Sequence, residues 1–331
     1  MRRALAISLL LCSAGCKRAA SEVVAYTSVD QVFSEPVFRD FERSSGIAVK
    51  AVFDTEEAKS TGVLNRLLAE AQSPHADVFW SGDPVRPFLL VKRGLAQPYV
   101  SPQAASIPAS FKAADGTWTG FAARARILLV NTKRVPAGEL PHSVRDLASA
   151  RWKGQTAIAN PCFGTTTMHA AALFASLGDA AARDFFEQLK KNGVKVASSN
   201  GEVKRLVAAG EVAFGLTDTD DASEALHEGA AVAIVYPDQD GIGTLVMPTT
   251  VVLLKGGPHR EQGQRLVDHL LGAAVEGKLA ETAAHLPVRA GVSAPKGMRR
   301  LSEVRAMPVD YARLGDVMER IQPWLLEWAG L

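Results

Sequence analysis

Short apolar runs alternate with helical patterns along the chain, and this alternation predicts the class of fold. Residues 23–26 are typical of a buried strand, and Val37, Phe38 and Phe41 follow at helical spacing before a stop at Gly46. The pattern repeats with strands over 47–53 and 77–80 and helices over 60–71 and 84–93. Strands that alternate with helices favour a parallel sheet covered by helices.

A second unit of the same kind begins near residue 119. Its strands are predicted over 126–130, 156–159, 194–196, 212–216 and 231–236, and its longest helices over 166–177 and 180–192. A strand over 250–254 and a helix over 261–271 resemble the first unit again, and Trp324 and Trp328 lie on a final helix. The sequence therefore predicts an α/β protein with two lobes, each a mainly parallel sheet flanked by helices.

The order of these elements also predicts how the chain is divided between the lobes. Residues 23–118 and 243–285 are assigned to lobe 1, and residues 119–242 and 286–331 to lobe 2. The glycines at 241 and 243 indicate a crossover between the lobes, because glycine tolerates the backbone change that lobe closure requires.

The first sixteen residues have the pattern of a bacterial secretory signal. Arg2 and Arg3 precede an apolar run over 4–12, and the small residues 13–15 stand directly before Cys16. The run is too short to span a bilayer, which needs about 20 apolar residues. The small residues resemble the lipobox of bacterial lipoproteins, although Ser13 replaces the usual leucine. We expect residues 1–15 to be removed, Cys16 to be lipidated and 16–22 to form a tether; secretion without a lipid and a buried helix are the alternatives.

Composition narrows the class of protein further. Of the 331 residues, 47% are hydrophobic and 22% are charged, and the formal net charge is +2, which is typical of an ordinary globular protein. No basic face favours nucleic acid or a membrane surface, so membrane contact is expected through the lipid anchor only. Once the signal is removed, Cys162 is the only thiol besides Cys16, which excludes an internal disulfide and a cysteine metal cluster. A monomer is expected.

Four motifs, taken in order, indicate a family. "VVAYTSVD" opens the mature chain, "HADVFWSGD" ends at Asp83, "WKGQTAIANP" ends at Pro161 and "AAGEVAFGL" ends at Leu216. Their order and spacing resemble the periplasmic iron(III)-type solute-binding proteins of ABC importers, over nearly the whole mature chain. The resemblance implies the type II periplasmic-binding fold, with a ligand cleft between two lobes. It also implies a protein without enzymatic activity that delivers its ligand to a permease and its ATPase, on the periplasmic or outer side of a bacterial membrane.

The loops that follow the strands are the expected binding site. In open parallel sheets, ligands lie beyond the carboxyl ends of the strands, where helix N-termini present unpaired amides. The predicted ligand-binding residues are Ser28, Asp30, Glu56, Thr61, Ser81, Thr165, Thr166, Thr167, Asn200, Thr217, Asp218 and Asp220.

The loop over 164–167 is suited to an anion. Its three threonines precede an apolar helix, so their hydroxyls and the backbone amides converge on the positive end of that helix. The resemblance implies that this loop and Asn200 bind a synergistic anion. The alternative is that one threonine and Asn200 simply cap helices. His169, one turn into the same helix, could reach an anion or serve only in packing.

The loop over 217–222 departs from the iron binders. It carries Asp218, Asp220 and Asp221 where that family has paired iron-binding tyrosines, and the chain's four tyrosines, at 26, 99, 236 and 311, lie elsewhere. Facing Asp30 and the acids at 56 and 57, these aspartates predict a strongly negative pocket and hence a cationic ligand or a metal with oxygen ligands. Asp218, Asp220 and Glu57 are the candidate metal ligands. The alternative is that Asp221 caps a helix and Asp218 lies in solvent.

These features lead to one functional hypothesis with stated rivals. The transported ligand is expected to be iron(III) or another metal ion together with an anion, and no resident cofactor is expected. A small organic cation, a zwitterion or a phosphorylated solute would fit the same residues. A sensory lipoprotein would use the same fold. A rival of another class is a haloacid-dehalogenase-like phosphatase, because Asp218-Thr219-Asp220 resembles the nucleophile motif of those enzymes.

Overall fold

The computed structural model describes residues 21–54 and 62–331. The predicted signal, Cys16, Glu56, Glu57 and Thr61 lie outside the described residues. The strands are β1 (Glu22–Thr27), β2 (Ala48–Phe53), β3 (Val78–Ser81), β4 (Thr119–Asn131), β5 (Thr156–Ala159), β6 (Lys195–Ala197), β7 (Phe214–Asp218), β8 (Val232–Val235) and β9 (Val246–Leu253). The α-helices are α1 (Gln31–Ser45), α2 (Gly62–Ala69), α3 (Val85–Lys92), α4 (Gly164–Leu177), α5 (Asp179–Lys191), α6 (Asn200–Ala208), α7 (Thr219–His227), α8 (Arg260–Leu270), α9 (Ala273–Ala283) and α10 (Tyr311–Ala329).

The strands form one continuous mixed sheet in the order β2-β1-β3-β9-β4-β7-β5-β6, with β8 paired to β4. At one end of the sheet β2, β1 and β3 are parallel, and at the other end β7, β5 and β6 are parallel. The neighbouring pairs β3–β9, β9–β4 and β4–β7 are antiparallel. Two parallel βα units therefore meet through β4 and β9, as the alternation in the sequence predicts.

The long strand β4 belongs to both halves of the sheet. Its first part pairs with β9, from Thr119 to Ala125, and its second part pairs with β7 and β8 from Arg126 onward. The sequence predicts only 126–130 as a strand here, because the charged Arg124 interrupts the apolar run that would extend it. The predicted crossover at 241–243 lies just ahead of β9. The chain passes between the two halves of the sheet along β4 and β9, which are paired with each other.

A bulge lies near the start of β4. The register shifts between Phe121 and Ala123, and Ala122 adopts a positive φ of 46°. The carboxylate of Glu276, on α9, accepts hydrogen bonds from the backbone amides of Ala122, at 2.9 Å, and Val288, at 3.0 Å. Arg289 forms an ion pair with the same carboxylate at 2.9 Å. The bulge is therefore held by a buried charged pair rather than by backbone hydrogen bonds alone.

The C-terminal helix α10 packs against α3 and α4, and so touches both halves of the molecule. Lys92 of α3 forms an ion pair with Asp316, and the hydroxyl of Tyr311 donates to the carbonyl of Val246 at 2.6 Å. The indole of Trp328 donates to the carbonyl of Phe186, at 3.0 Å. Within the described residues, no helix has both the length and the apolar character required to cross a bilayer.

Candidate functional site

A fully buried arginine on β4 lies at the centre of the site. One guanidinium nitrogen of Arg126, Nη1, donates to Asp218 Oδ1 at 2.7 Å, to Thr165 Oγ1 at 3.0 Å and to Asn200 Oδ1 at 3.1 Å. The other, Nη2, donates to Thr166 Oγ1 at 3.2 Å. Four of the predicted ligand-binding residues therefore converge on a side chain that is not itself among the predicted residues.

Topology explains why these residues meet. The neighbouring parallel strands β7, β5 and β6 end at one edge of the sheet. Asp218 is the last residue of β7, and Thr165 and Asn200 come after β5 and β6. Thr165 Oγ1 donates to Asp218 Oδ2 at 2.9 Å, and Asn200 Nδ2 donates to Thr165 Oγ1 at 2.8 Å. The predicted meeting of the strand-end loops at 165, 200 and 218 is thus seen in the contacts.

Arg124 extends the site toward the other half of the molecule. Its Nη2 donates to the carbonyl of Gly82, in the loop after β3, at 2.9 Å. Its Nη1 lies 3.4 Å from Asp220 and 3.6 Å from Asp218. Burial lowers the pKa of the guanidinium, but Asp220 and Asp218 outweigh burial and raise it, so the side chain is charged. Arg124 therefore joins strand-end loops from both halves of the sheet.

The three aspartates after β7 differ in burial. Asp218 is buried and is the N-cap of α7, whereas 35% of the Asp220 side chain is exposed to solvent. Asp221 accepts hydrogen bonds from Thr217 Oγ1 at 2.7 Å and from the backbone amide of Asp218 at 3.3 Å. Burial, with the charges of Asp220 and Asp218, raises the pKa of Asp221 to about 7. The alternative that places Asp218 in solvent is wrong, because this carboxylate is the buried partner of Arg126.

The described part of the site is less negative than the acidic loop predicts. Arg124 and Arg126 lie against Asp218 and Asp220, so their two positive charges offset the two carboxylates. A signal was present in the sequence, since both arginines stand two positions apart within the apolar stretch of β4 and so share a face. Carboxylate oxygens of Asp218, Asp220 and Asp221 still lie within 4.8 Å of one another, a spacing that one metal ion could bridge.

Two predicted residues of the first unit, Ser28 and Ser81, lie beside Gly82, the residue whose carbonyl accepts from Arg124. Ser28 Oγ accepts a hydrogen bond from the backbone amide of Gly82 at 3.0 Å and lies 3.5 Å from Ser81 Oγ, and both serines are buried. The backbone carbonyl of Asp30 accepts from the first turn of α1. Trp80 is buried and stacks on Phe121, which places it in the core.

The three threonines of the α4 loop have different environments. Thr165 is partly exposed, Thr166 is buried against Arg126, and Thr167 is buried with a hydroxyl that has no hydrogen-bond partner among the described residues. Thr165 is therefore the threonine that a ligand could reach most directly. Phe163, just ahead of α4, keeps 60% of its surface exposed at the same edge.

Two buried histidines flank the arginines. Burial, and then the charge of Arg126, lowers the pKa of His169 to about 3, and burial with Arg124 does the same for His285. Within the described residues neither ring nitrogen of His169 has a hydrogen-bond partner, and His285 Nδ1 also lacks one. His169 is a candidate from the sequence, whereas His285 is not among the predicted residues. It precedes Leu286, the residue paired with Ala123 of β4.

The tyrosines take no part in this cluster. The hydroxyls of Tyr26, Tyr99 and Tyr311 donate to Glu70, Asp268 and the Val246 carbonyl, respectively. The hydroxyl of Tyr236 is buried without a hydrogen-bond partner in the described part of the chain. All four therefore lie away from the acidic loop, as the sequence positions predict.

Comparison with known proteins shows which family this chain resembles. Residues 73–315 match the family model described as bacterial extracellular solute-binding protein. Iron uptake protein A1 of Synechocystis is 25% identical over 309 residues, which cover 90% of this chain and 84% of that protein. A putative 2-aminoethylphosphonate-binding periplasmic protein of Salmonella typhimurium is 23% identical, with coverage of 90% and 83%.

The fold is also similar to that of solved structures. Iron-bound HitA from Pseudomonas aeruginosa superimposes with a TM-score of 0.81 at 23% sequence identity, covering 94% of this chain and all of HitA. The predicted fold class, an α/β periplasmic-binding protein of two lobes with a cleft between them, is confirmed by this likeness. At this level of identity the likeness concerns the fold and not the ligand.

Proposed function

The chain belongs to the bacterial extracellular solute-binding proteins, and from that premise we propose that it captures a small solute between its lobes and delivers it to an ABC permease with its ATPase. The proposal places the mature protein on the outer side of a bacterial membrane, anchored by a lipid at Cys16. The lobes would follow the predicted division at residues 118, 242 and 285. Binding would leave the solute chemically unchanged.

The cluster around Arg124 and Arg126 is the main observation that supports a particular class of ligand. The guanidinium of Arg124, the partly exposed Thr165 and Asn200, and the N-terminus of the 14-residue helix α4 lie at one edge, and the charge of the buried Arg126 lies behind them. Within the described residues the Nε atoms of both arginines are buried without a hydrogen-bond partner. This set of donors supports a ligand with an oxyanion, such as a carboxylate, phosphonate or phosphate.

The acidic side of the site supports a positive group on the same ligand. The Asp220 side chain is partly exposed, and its buried Oδ1 has no hydrogen-bond partner in the described part of the chain. Because the arginines offset Asp218 and Asp220, the site suits a solute whose own charges balance. We therefore propose a zwitterion that combines an oxyanion with an ammonium group, a class to which aminoalkylphosphonates belong.

Iron(III) held with an anion is the second candidate. The mutual spacing of the three aspartates favours it, as do the names of several relatives. A hard trivalent cation requires several anionic oxygen donors, and here two guanidinium charges oppose the carboxylates. The geometry therefore supports the zwitterion better than the metal.

A titration with two probes tests the proposal and separates the candidates. We expect 2-aminoethylphosphonate to give saturable heat in calorimetry and to raise the melting temperature, while iron(III) citrate gives a weaker response. Arg124→Ala and Asp220→Asn should each weaken binding of the phosphonate at least tenfold, because they remove one charge partner each. Arg265→Ala, on the exposed surface of α8, is the matched control and should bind normally.

Two other outcomes would contradict the zwitterion proposal. If iron(III) citrate binds strongly, 2-aminoethylphosphonate does not, and Asp220→Asn abolishes iron binding, the metal candidate replaces the zwitterion. If neither probe responds in protein purified without refolding, the proposed ligand class is wrong.

The geometry opposes the phosphatase alternative. Asp218, the residue that would attack phosphorus, is buried and accepts from Arg126, Thr165 and Asn200. An attacking carboxylate needs a free oxygen in line with the phosphorus atom, and these bonds occupy both oxygens. We propose a binding protein without catalysis, and release of phosphate from p-nitrophenyl phosphate with magnesium, lost in Asp218→Asn, would contradict it.

A further inference from the structure

A groove of about 590 Å³ lies on the surface of the second unit, away from the arginine cluster. It is bounded by the end of α4 (Phe174–Ser176), by residues 241–242, by the segment 305–310 and by the first turns of α10. Its volume falls within the range of sites that hold small organic molecules. The arginine cluster at the start of α4 is ten residues from Phe174, which is about 15 Å along the helix. The groove is therefore separate from the site described above.

The floor of the groove is apolar and its rim is basic. Phe174 and Leu314 are buried at the floor, and Arg305, Arg313 and Arg320 stand at the rim. Arg320 forms an ion pair with Asp179, whereas no carboxylate among the described residues lies within ion-pair distance of Arg305 or Arg313. Two guanidinium groups at the rim are therefore available to an anion.

The remaining charges at the rim leave the groove positive. Asp310 lines it as well, but its Oδ1 accepts from the backbone amide of Ala312 as the N-cap of α10. The N-terminus of this 19-residue helix opens into the groove and adds the partial positive charge of its first turn. An occupant with a negative end is favoured for both reasons.

The wall that carries Arg305 is fixed by backbone contacts. Arg305 donates its amide to Gln239 at 2.8 Å, and its carbonyl accepts from the Thr244 amide at 2.9 Å. A side chain at Gly243 would come within 2.8 Å of that carbonyl, so glycine is required for the close approach. The groove is thus formed before any ligand arrives, which lowers the cost of binding.

We propose that this groove is a second ligand site, and that it binds a small anion with an apolar body, an alkyl or aryl carboxylate or phosphate. The apolar part lies on Phe174 and Leu314, and the anionic head lies between Arg305 and Arg313. This site acts independently of solute capture at the arginine cluster. Such an anion could be a free solute or the headgroup and chain of a membrane lipid, since both share this chemistry.

Octyl phosphate is a suitable probe. Trp324 packs on Phe174 with ring centroids 5.4 Å apart, so occupancy should change tryptophan fluorescence as well as give heat in calorimetry. We expect saturable binding of octyl phosphate, and at least tenfold weaker binding in Arg305→Ala/Arg313→Ala. Inorganic phosphate and octanol should each bind far more weakly, because each lacks half of the ligand.

Two control variants locate the response. Arg265→Ala removes an exposed arginine elsewhere and should bind octyl phosphate normally, and Arg124→Ala should also leave this binding unchanged. Circular dichroism checks that the double variant is folded. Binding that survives Arg305→Ala/Arg313→Ala, or that is lost in Arg124→Ala instead, would overturn the proposal, as would the absence of saturable binding.

Vesicles distinguish the two sources of the anion. Mature protein without the lipid anchor is sedimented with vesicles of phosphatidylglycerol or of phosphatidylcholine. Sedimentation with phosphatidylglycerol that depends on Arg305 and Arg313 assigns the site to a membrane lipid. Binding of octyl phosphate without such sedimentation assigns it to a free amphiphilic solute.

Discussion

At the scale of single residues, Arg126 shows how this site is stabilised. A guanidinium without solvent exposure is tolerated only when its charge and its donors are matched. Asp218 supplies the charge, and Thr165, Thr166 and Asn200 accept hydrogen bonds from the two terminal nitrogens. The same contacts fix the positions of the loops that would meet a ligand, so stability and pre-organisation depend on one side chain.

Replacing Arg126 should therefore be costly. Arg126→Leu leaves Asp218 buried without its partner, and we expect the free energy of unfolding to fall by about 3–5 kcal/mol in urea titrations. Arg39→Ala breaks an exposed ion pair with Glu35 on α1 and should cost less than about 1 kcal/mol. A loss in Arg126→Leu no greater than in Arg39→Ala would show that the buried pair is not structural.

His169 should make stability depend on pH. Its folded-state pKa of about 3 lies below the ordinary value of 6.5, so the unfolded chain binds a proton that the folded chain does not. Its contribution is complete above pH 6.5 and is lost as the pH falls toward 3. Between pH 7.5 and 5 the wild type should lose about 2 kcal/mol more than His169→Leu. Urea titrations at both pH values measure the difference.

An exposed histidine provides the control for this experiment. His75→Gln should leave the pH dependence of wild-type stability unchanged, because His75 is exposed near the end of α2. Parallel stability profiles for wild type and His169→Leu would mean that His169 is not buried in its neutral form.

The residues of the site were only partly predictable, for a physical reason. Thr165, Asn200 and Asp218 follow strands, and strand ends are where ligands of open sheets lie. Arg124, Arg126 and His285 lie elsewhere, the arginines inside a long strand and His285 beside its bulge. Sequence patterns identify loops well, but they do not show which buried charges a strand turns toward those loops.

At the scale of elements, β4 determines how the two halves are joined. The predicted bounds of helices such as α5 and α8 agree closely with the structure, because their apolar residues recur with a clear helical period. The predicted strand 126–130 covers only the second part of β4, since Arg124 interrupts the apolar pattern ahead of it. Its partner β9 is buried along its whole length, so the two strands form the floor between the halves.

The bulge at Ala122 should tolerate glycine but not a branched residue. A positive φ costs an L-residue about 1–2 kcal/mol, and a β-branched side chain there costs more. Ala122 is also fully buried, so added methyl groups overpack the core. We expect Ala122→Val to lower the free energy of unfolding by about 2–4 kcal/mol. Ala122→Gly should stay within about 1 kcal/mol of wild type, because relief of strain offsets the lost methyl group.

Equilibrium unfolding of the two variants in urea tests this asymmetry. Similar stability of Ala122→Val and Ala122→Gly would contradict the assigned backbone conformation. The result also bears on lobe closure, because a strained position in a strand shared by both halves is where a hinge would be expected to bend.

At the scale of the whole molecule, the fold was predictable and the ligand was not. The alternation of strands and helices depends on local pattern, and a two-lobed α/β fold follows from it. The charge of the binding site depends on which side chains, distant in sequence, meet in the fold. The acids of the 217–222 loop predict a negative pocket only when the arginines that pair with them are left out. The fold defines where a ligand binds, whereas paired charges define which ligand binds.

The attachment of the whole protein to a membrane should depend on one atom, the sulfur of Cys16. The small residues before Cys16 predict that this cysteine carries a lipid, which would be the means of attachment. Cys16→Ala should move the protein from the membrane fraction to the periplasmic fraction, and mass spectrometry should show that the wild-type N-terminus carries acyl chains. Cys162→Ala alters a buried thiol and should leave the protein in the membrane fraction. If Cys16→Ala remains with the membrane, another part of the molecule holds it there, and the basic groove with Arg305 and Arg313 becomes the next segment to vary.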